Sequence, residues 1–135
     1  MNDSELKSKG VELRRQLLGD AFVERASTTV YDHPMMQQFL EIATTNVFGA
    51  IWARPGLDLK SRTLVVMVSD VVGGRLDELP IHLSMALRQG WTQEELTEVL
   101  LQLIGYIGLP LVREAMLTAV AAFKEADKDK TGTAS

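Results

Sequence analysis

Cysteine is absent from the 135 residues. Disulfides, thiolate nucleophiles and zinc–thiolate sites are therefore excluded. Histidine occurs only twice, as His33 and His82. Two imidazoles so far apart in sequence argue against a dedicated metal site, and no metal or other cofactor is expected. Long apolar runs are missing as well. The stretch 64–68 is among the longest, well short of the ~20 residues that cross a bilayer. The opening Met1-Asn2-Asp3-Ser4-Glu5 is polar and acidic, unlike a secretory signal. Basic residues are in the minority, 14 against 18 acidic, for a net charge of -4, and they form no stripe. Neither nucleic acid nor a membrane is an expected partner, and the cytoplasm is the expected compartment.

The composition is that of an ordinary globular domain, 46% apolar and 24% charged. One domain is expected over residues 1–127, followed by a flexible Lys/Asp/Thr/Gly-rich tail over 128–135. The apolar spacing is helical. Leu6, Leu13 and Leu17 mark a helix over about 4–18, ended by Gly19-Asp20. Residues 21–31 carry Val23, Val30 and several threonines; with no partner strand elsewhere they read as a loop with at most one helical turn. Asp32-His33-Pro34 opens a helix to about Phe48, and Trp52 through Leu57 form a connector with Pro55-Gly56 as its turn. A third helix follows Asp58 and runs to about Val72, apolar nearly all round, which predicts burial on most sides or between subunits. Asp77 is the expected N-cap of the next helix, and Gly90 its stop. Thr92-Gln93-Glu94-Glu95 is a capping box ahead of Leu96, Leu100, Leu103 and Ile107. Pro110 opens a last helix. The expected architecture is all-α with about six helices.

Chemistry is expected at the helix following Asp77. Glu78 and His82 stand four residues apart and share one helix face. Most such pairs are solvated surface pairs. Here Leu79, Ile81 and Leu83 surround the imidazole, and a carboxylate beside it can support proton transfer. Asp70 is the odd residue in the apolar third helix; if buried, it must be paired or protonated. It reads either as part of a structural network or as a site acid. His33, in a polar turn beside Asp32 and Pro34, reads as a helix-start residue. Arg54, Arg62 and Arg75 are candidate clamps for a substrate carboxylate, against the plainer reading of each as a surface ion pair. The third helix and the Leu101, Leu109 and Leu111 side of the later helices offer more apolar surface than one small bundle buries, so a homo-oligomer is expected.

Gly10-Val11-Glu12-Leu13-Arg14-Arg15, Ile51-Trp52-Ala53-Arg54-Pro55-Gly56-Leu57, Ser61-Arg62-Thr63-Leu64, Glu78-Leu79-Pro80-Ile81-His82-Leu83, Gly90-Trp91-Thr92-Gln93-Glu94-Glu95-Leu96 and Tyr106-Ile107-Gly108-Leu109-Pro110 stand in one register over about residues 10–123. In that order and spacing they resemble the carboxymuconolactone decarboxylase family. The resemblance implies an alkylhydroperoxidase D-like helical bundle assembled as a trimer or hexamer. Redox relatives carry Cys-x-x-Cys followed three residues on by histidine. Here Glu78 precedes His82 and no cysteine exists, which leaves the decarboxylase branch. The chain departs from the family pattern at Ser84, where an arginine is usual, at Ser69 and Asp70, where apolar residues are expected, and at Pro80.

The implied activity is cofactor-independent decarboxylation of an unsaturated lactone acid, 4-carboxymuconolactone or a close analogue, to an enol-lactone and CO2. His82 would deliver the proton and Glu78 would orient it or relay the proton. An arginine (Arg62 or Arg54, with Arg75 as a further candidate) would hold the remote carboxylate. Tyr106 would assist the developing oxyanion, against its plainer reading as a packed aromatic. Alternatives on the same scaffold are a lactone isomerase or hydrolase, and a non-catalytic oligomeric binding protein.

Overall fold

A computed structural model describes residues 1–131. Among them there is no strand: seven α-helices and one π-helical segment make up the chain, one helix more than the spacing suggested. They fall into two compact units, Met1–Leu59 and the stretch from Lys60 onward.

The first unit opens with α1 (Asp3–Leu18), capped by the Asn2 side chain, which accepts from the Glu5 amide at 2.9 Å. Leu13 and Leu17 are buried on its inner face. Residues 21–31 are not a loop: α2 spans Asp20–Thr29. Val23 and Ala26, three apart, bury on one face. Ser27, Thr28 and Thr29 turn their hydroxyls back to the Glu24 and Arg25 carbonyls, so residues that resemble strand formers serve as helix residues. Arg15 ties α1 to α2 through Glu24 at 2.7 Å and Asp20 at 3.3 Å. These bonds, Glu24 first, raise its guanidinium pKa further.

Helix α3 (Pro34–Ala43) starts as expected, with His33 as N-cap accepting from the Met35 amide at 3.0 Å. It continues without a break as a π-helical segment, Thr44–Trp52. This segment packs along α1 at close range. A Cβ on Gly10 would lie 2.0 Å from the Thr44 carbonyl oxygen, and one on Gly49 would lie 2.1 Å from the Leu6 carbonyl oxygen. Only glycine permits that approach. Trp52, expected in a connector, is the last π-helical residue and is buried.

The second unit contains α4 (Leu59–Gly73), α5 (Leu79–Arg88), α6 (Gln93–Ile107) and α7 (Leu109–Thr131). Met67, Val71, Leu79, Leu83, Ala86, Leu96, Leu100 and Val112 form its core, with Ala115 and Ala119 of α7. Of the two expectations for the apolar third helix, burial on most sides or burial between subunits, the first does not hold within one chain. Thr63, Met67, Asp70 and Val71 of α4 are buried, whereas Val65 and Val72 are exposed. The capping box forms: Thr92 accepts from the Glu95 amide and Glu95 accepts from the Thr92 amide, each at 3.0 Å. Trp91 donates to the Lys60 carbonyl at 3.0 Å, with the Lys60 ammonium over its ring. Helix α7 continues through Lys128 to Thr131, the start of the stretch expected as a tail. Residues 132–135 lie outside the described ones. No described helix is long and apolar enough to cross a membrane.

Candidate active site

Asp70 lies on the buried face of α4, one and two turns on from Met67 and Thr63. Its side chain is 2% exposed, and it is paired on both oxygens. Oδ1 accepts from Arg75 Nε at 3.4 Å, and Oδ2 meets His82 Nδ1. The condition set by the sequence, that a buried Asp70 needs a partner, is met twice.

The turn between α4 and α5 brings these groups together. The Arg75 amide donates to the Asp70 carbonyl at 2.8 Å, while the Arg75 carbonyl accepts from Glu78 and Leu79 at 3.2 and 3.1 Å. The guanidinium then folds back over the end of α4, where Nη2 donates to Ser69 Oγ at 3.1 Å. Ser69 in turn donates to the Val66 carbonyl at 2.7 Å. A Cβ on Gly73 would lie 2.4 Å from Arg75 Nη1, so the missing side chain is the space that the guanidinium fills.

His82 lies one turn into α5, its side chain 18% exposed. Among the described residues Nε2 has no partner, and no buried side-chain nitrogen or oxygen lacks one. Nε2 therefore reaches the surface while Nδ1 is held.

The expected Glu78–His82 side-chain pair is replaced by Asp70–His82. Helix α5 starts at Leu79, which leaves Glu78 as the N-cap with no side-chain cap bond. Its carboxylate is exposed, and its link to His82 is the helical bond from the His82 amide to the Glu78 carbonyl at 3.2 Å. Asp77, the expected cap, sits one residue too early. Gly74, Arg75, Leu76, Asp77 and Glu78 line an open depression of about 400 Å3 beside this network.

Of the candidate clamps, Arg75 is committed to Asp70 and Ser69. Arg62 lies half-buried in the first turn of α4, and Arg54 is exposed in the first unit, after the π-helical segment. The reading of Tyr106 as a packed aromatic does not hold within one chain: near the end of α6 it is 79% exposed. No group of three or more histidine, aspartate or glutamate side chains among the described residues is arranged to hold a metal ion. Sequence reasoning missed the pairing of Asp70 with His82 and the bond from Arg75 to Ser69. The available signal was the pair of polar residues at 69 and 70, where the apolar pattern of α4 should continue.

The pattern of the Carboxymuconolactone decarboxylase family matches residues 37–122. A 4-carboxymuconolactone decarboxylase of Acinetobacter baylyi is 35% identical over 125 residues, which cover 93% of this chain and 92% of that protein. A nitrosuccinic acid decarboxylase of Metarhizium robertsii is 32% identical over 112 residues, 83% of this chain and 77% of its own length. An uncharacterized 15.0 kDa protein of Paracoccus denitrificans is 32% identical over 84 residues, 61% of this chain and 63% of its own.

Proposed function

This chain belongs to the carboxymuconolactone decarboxylase family, and on that premise we propose that it removes CO2 from a small acid whose carboxyl-bearing carbon is conjugated to an electron sink, with His82 as proton donor. The observation that carries this reading is the half-buried imidazole whose Nδ1 is held by Asp70 and whose Nε2 is open.

In 4-carboxymuconolactone the carboxylate sits on a ring carbon joined through C=C to the lactone carbonyl. When the C–CO2 bond breaks, its electron pair passes through the alkene into that carbonyl and leaves a dienolate. A proton from Nε2 then forms a new C–H bond and gives the enol-lactone. The ring regains its proton from water, so one carboxylate and one proton become one C–H and CO2. The substrate supplies its own sink, and this reading asks for no metal or cofactor. Arg62 is the proposed holder of the remote carboxylate, through paired N–H donors. An apolar setting for the leaving carboxylate favours its loss.

A second substrate is favoured by the Metarhizium relative: in nitrosuccinic acid the nitro group on the carboxyl-bearing carbon is an equally good sink. The site would then serve a class of acids rather than one lactone. Incubation with 4-carboxymuconolactone and with 2-nitrosuccinate, followed by CO2 release, tests this. Release from either acid is expected. Turnover without CO2 would mean an isomerase or hydrolase, and no turnover a binding protein. His82→Asn keeps an N–H for Asp70 but removes Nε2, and should slow CO2 release by about two orders of magnitude or more.

The protein is also proposed to act as a homo-oligomer, a trimer or hexamer, in the cytoplasm. Leu109, Leu117 and Val120 are exposed along an apolar groove of about 430 Å3 on α6 and α7, and Met35, Phe39 and Ile42 form an exposed stripe on α3. Light scattering at micromolar concentration should give a mass above that of one chain; a clean monomer would refute this.

A further inference from the structure

We propose that Asp70 is the positioning residue of His82, and that Arg75, Ser69 and Gly73 form a brace holding Asp70 in place. The inference rests on the reading of His82 as proton donor, and it assigns to Asp70 the orienting role that the sequence spacing gave to Glu78.

Three observations converge on it. First, a carboxylate at a core position of α4 is costly unless its lone pairs are used, and both oxygens are used. Second, Ser69 and Asp70, the two polar residues that interrupt an apolar stretch, are bound by one guanidinium. Third, that guanidinium sits where a side chain at Gly73 would collide with it. Polar residue, polar residue, glycine and arginine thus act as one device whose output is the ring angle of His82.

The chemical consequence follows from hydrogen counting. An ionised carboxylate accepts and has no hydrogen to give, so the hydrogen of the Asp70–His82 bond belongs to Nδ1. The ring therefore keeps Nδ1–H throughout. Nε2 is the nitrogen that loses its proton to substrate carbon and takes the next one from water. Glu78, exposed and joined to His82 only through backbone, does not constrain the ring.

Side-chain nitrogen–proton correlation spectra of the intact, 15N-histidine-labelled protein test this at alkaline pH, where a free imidazole carries a single hydrogen. His33, the only other histidine, is the internal reference. His82 should show the Nδ1–H tautomer. In Asp70→Leu it should shift toward Nε2–H, with the His33 signal unchanged. CO2 release by that variant should fall about a hundredfold in kcat, the scale of a misplaced catalytic group, with KM within about threefold. Arg75→Gln, which loosens the brace but leaves Asp70, should show a smaller loss. Glu78→Gln should leave the tautomer unchanged.

Wild-type His82 in the Nε2–H form would overturn the proposal without any mutant. So would an altered tautomer in Asp70→Leu with unchanged kcat, in which case the decarboxylase reading stands alone. If neither acid is a substrate, the spectra still decide the positioning. Should Asp70→Leu not fold, Asp70→Asn provides the kinetic comparison, and an unchanged kcat there refutes the role.

Discussion

Removing either member of the Asp70–His82 pair should have unequal consequences for stability, because the two partners differ in access to water. In His82→Leu, Asp70 stays behind. It is 2% exposed, keeps Arg75 on Oδ1, and is left with Oδ2 unsatisfied. A buried acceptor stripped of its partner costs about 1–3 kcal/mol. In Asp70→Leu the groups left behind are His82, 18% exposed, and Arg75, 52% exposed. Both reach solvent, and an apolar side chain enters an apolar face, so the loss should be ~1 kcal/mol or less. The double variant removes the buried charge together with its partner and should cost less than His82→Leu alone. The assay is urea unfolding at neutral pH and one fixed protein concentration, with the slopes compared for equal compactness. The coupling between the two positions should be ~1–2 kcal/mol. If His82→Leu proved no more costly than Asp70→Leu, Asp70 would not be the buried acceptor of this pair.

Three further outcomes can be checked by the same unfolding measurements. Gly10→Ala places a methyl group 2.0 Å from a backbone oxygen that has no rotamer to escape into, so it should destabilise by ~2 kcal/mol or more. Gly105→Ala meets nothing within 4 Å in the last turn of α6 and should stabilise by ~0.5 kcal/mol or less through helix propensity. Glu95 is held below the ordinary carboxylate range, chiefly by the Thr92 amide bond. A lowered folded value means that its contribution is complete above the ordinary value of 4.5 and is lost as pH falls through the folded value. The stability difference between the wild type and Glu95→Gln should therefore shrink to nothing as the solution is acidified below that range.

Local signals were legible where a few adjacent residues decide the outcome. The Thr92–Glu95 box, Pro34 at a helix start and the all-α pattern each rest on such chemistry. Helix α2 was hidden because Val23, Thr28 and Thr29 suggest a strand by type. Their helical state depends on burial of Val23 and Ala26 and on hydroxyls folded back to carbonyls. The π-helical segment was hidden because its apolar residues recur at helical spacing without marking where α-helical bonding gives way to π. At the site, both ends of the key contact were identified separately: His82 as the chemical group and Asp70 as a residue needing a partner. Twelve residues and a tight turn separate them, and the ring's partner is set by Arg75 folding over Gly73. Helical spacing favoured Glu78 instead. Glu78 does keep helical backbone one turn before His82, and its carbonyl accepts from the His82 amide, but the ring turns to the buried carboxylate on α4 and the Glu78 side chain stays exposed.

The chain's two tryptophans are divided one to each compact unit, Trp52 buried in the first and Trp91 bonded to Lys60 in the second. Each unit thus carries its own intrinsic fluorophore. Trp52→Phe leaves emission that reports only on the second unit, and Trp91→Phe leaves emission that reports only on the first. Cooperativity between the halves then becomes directly measurable: a shared melting midpoint in the two variants makes the chain one cooperative body, and two midpoints make the units separable foldons.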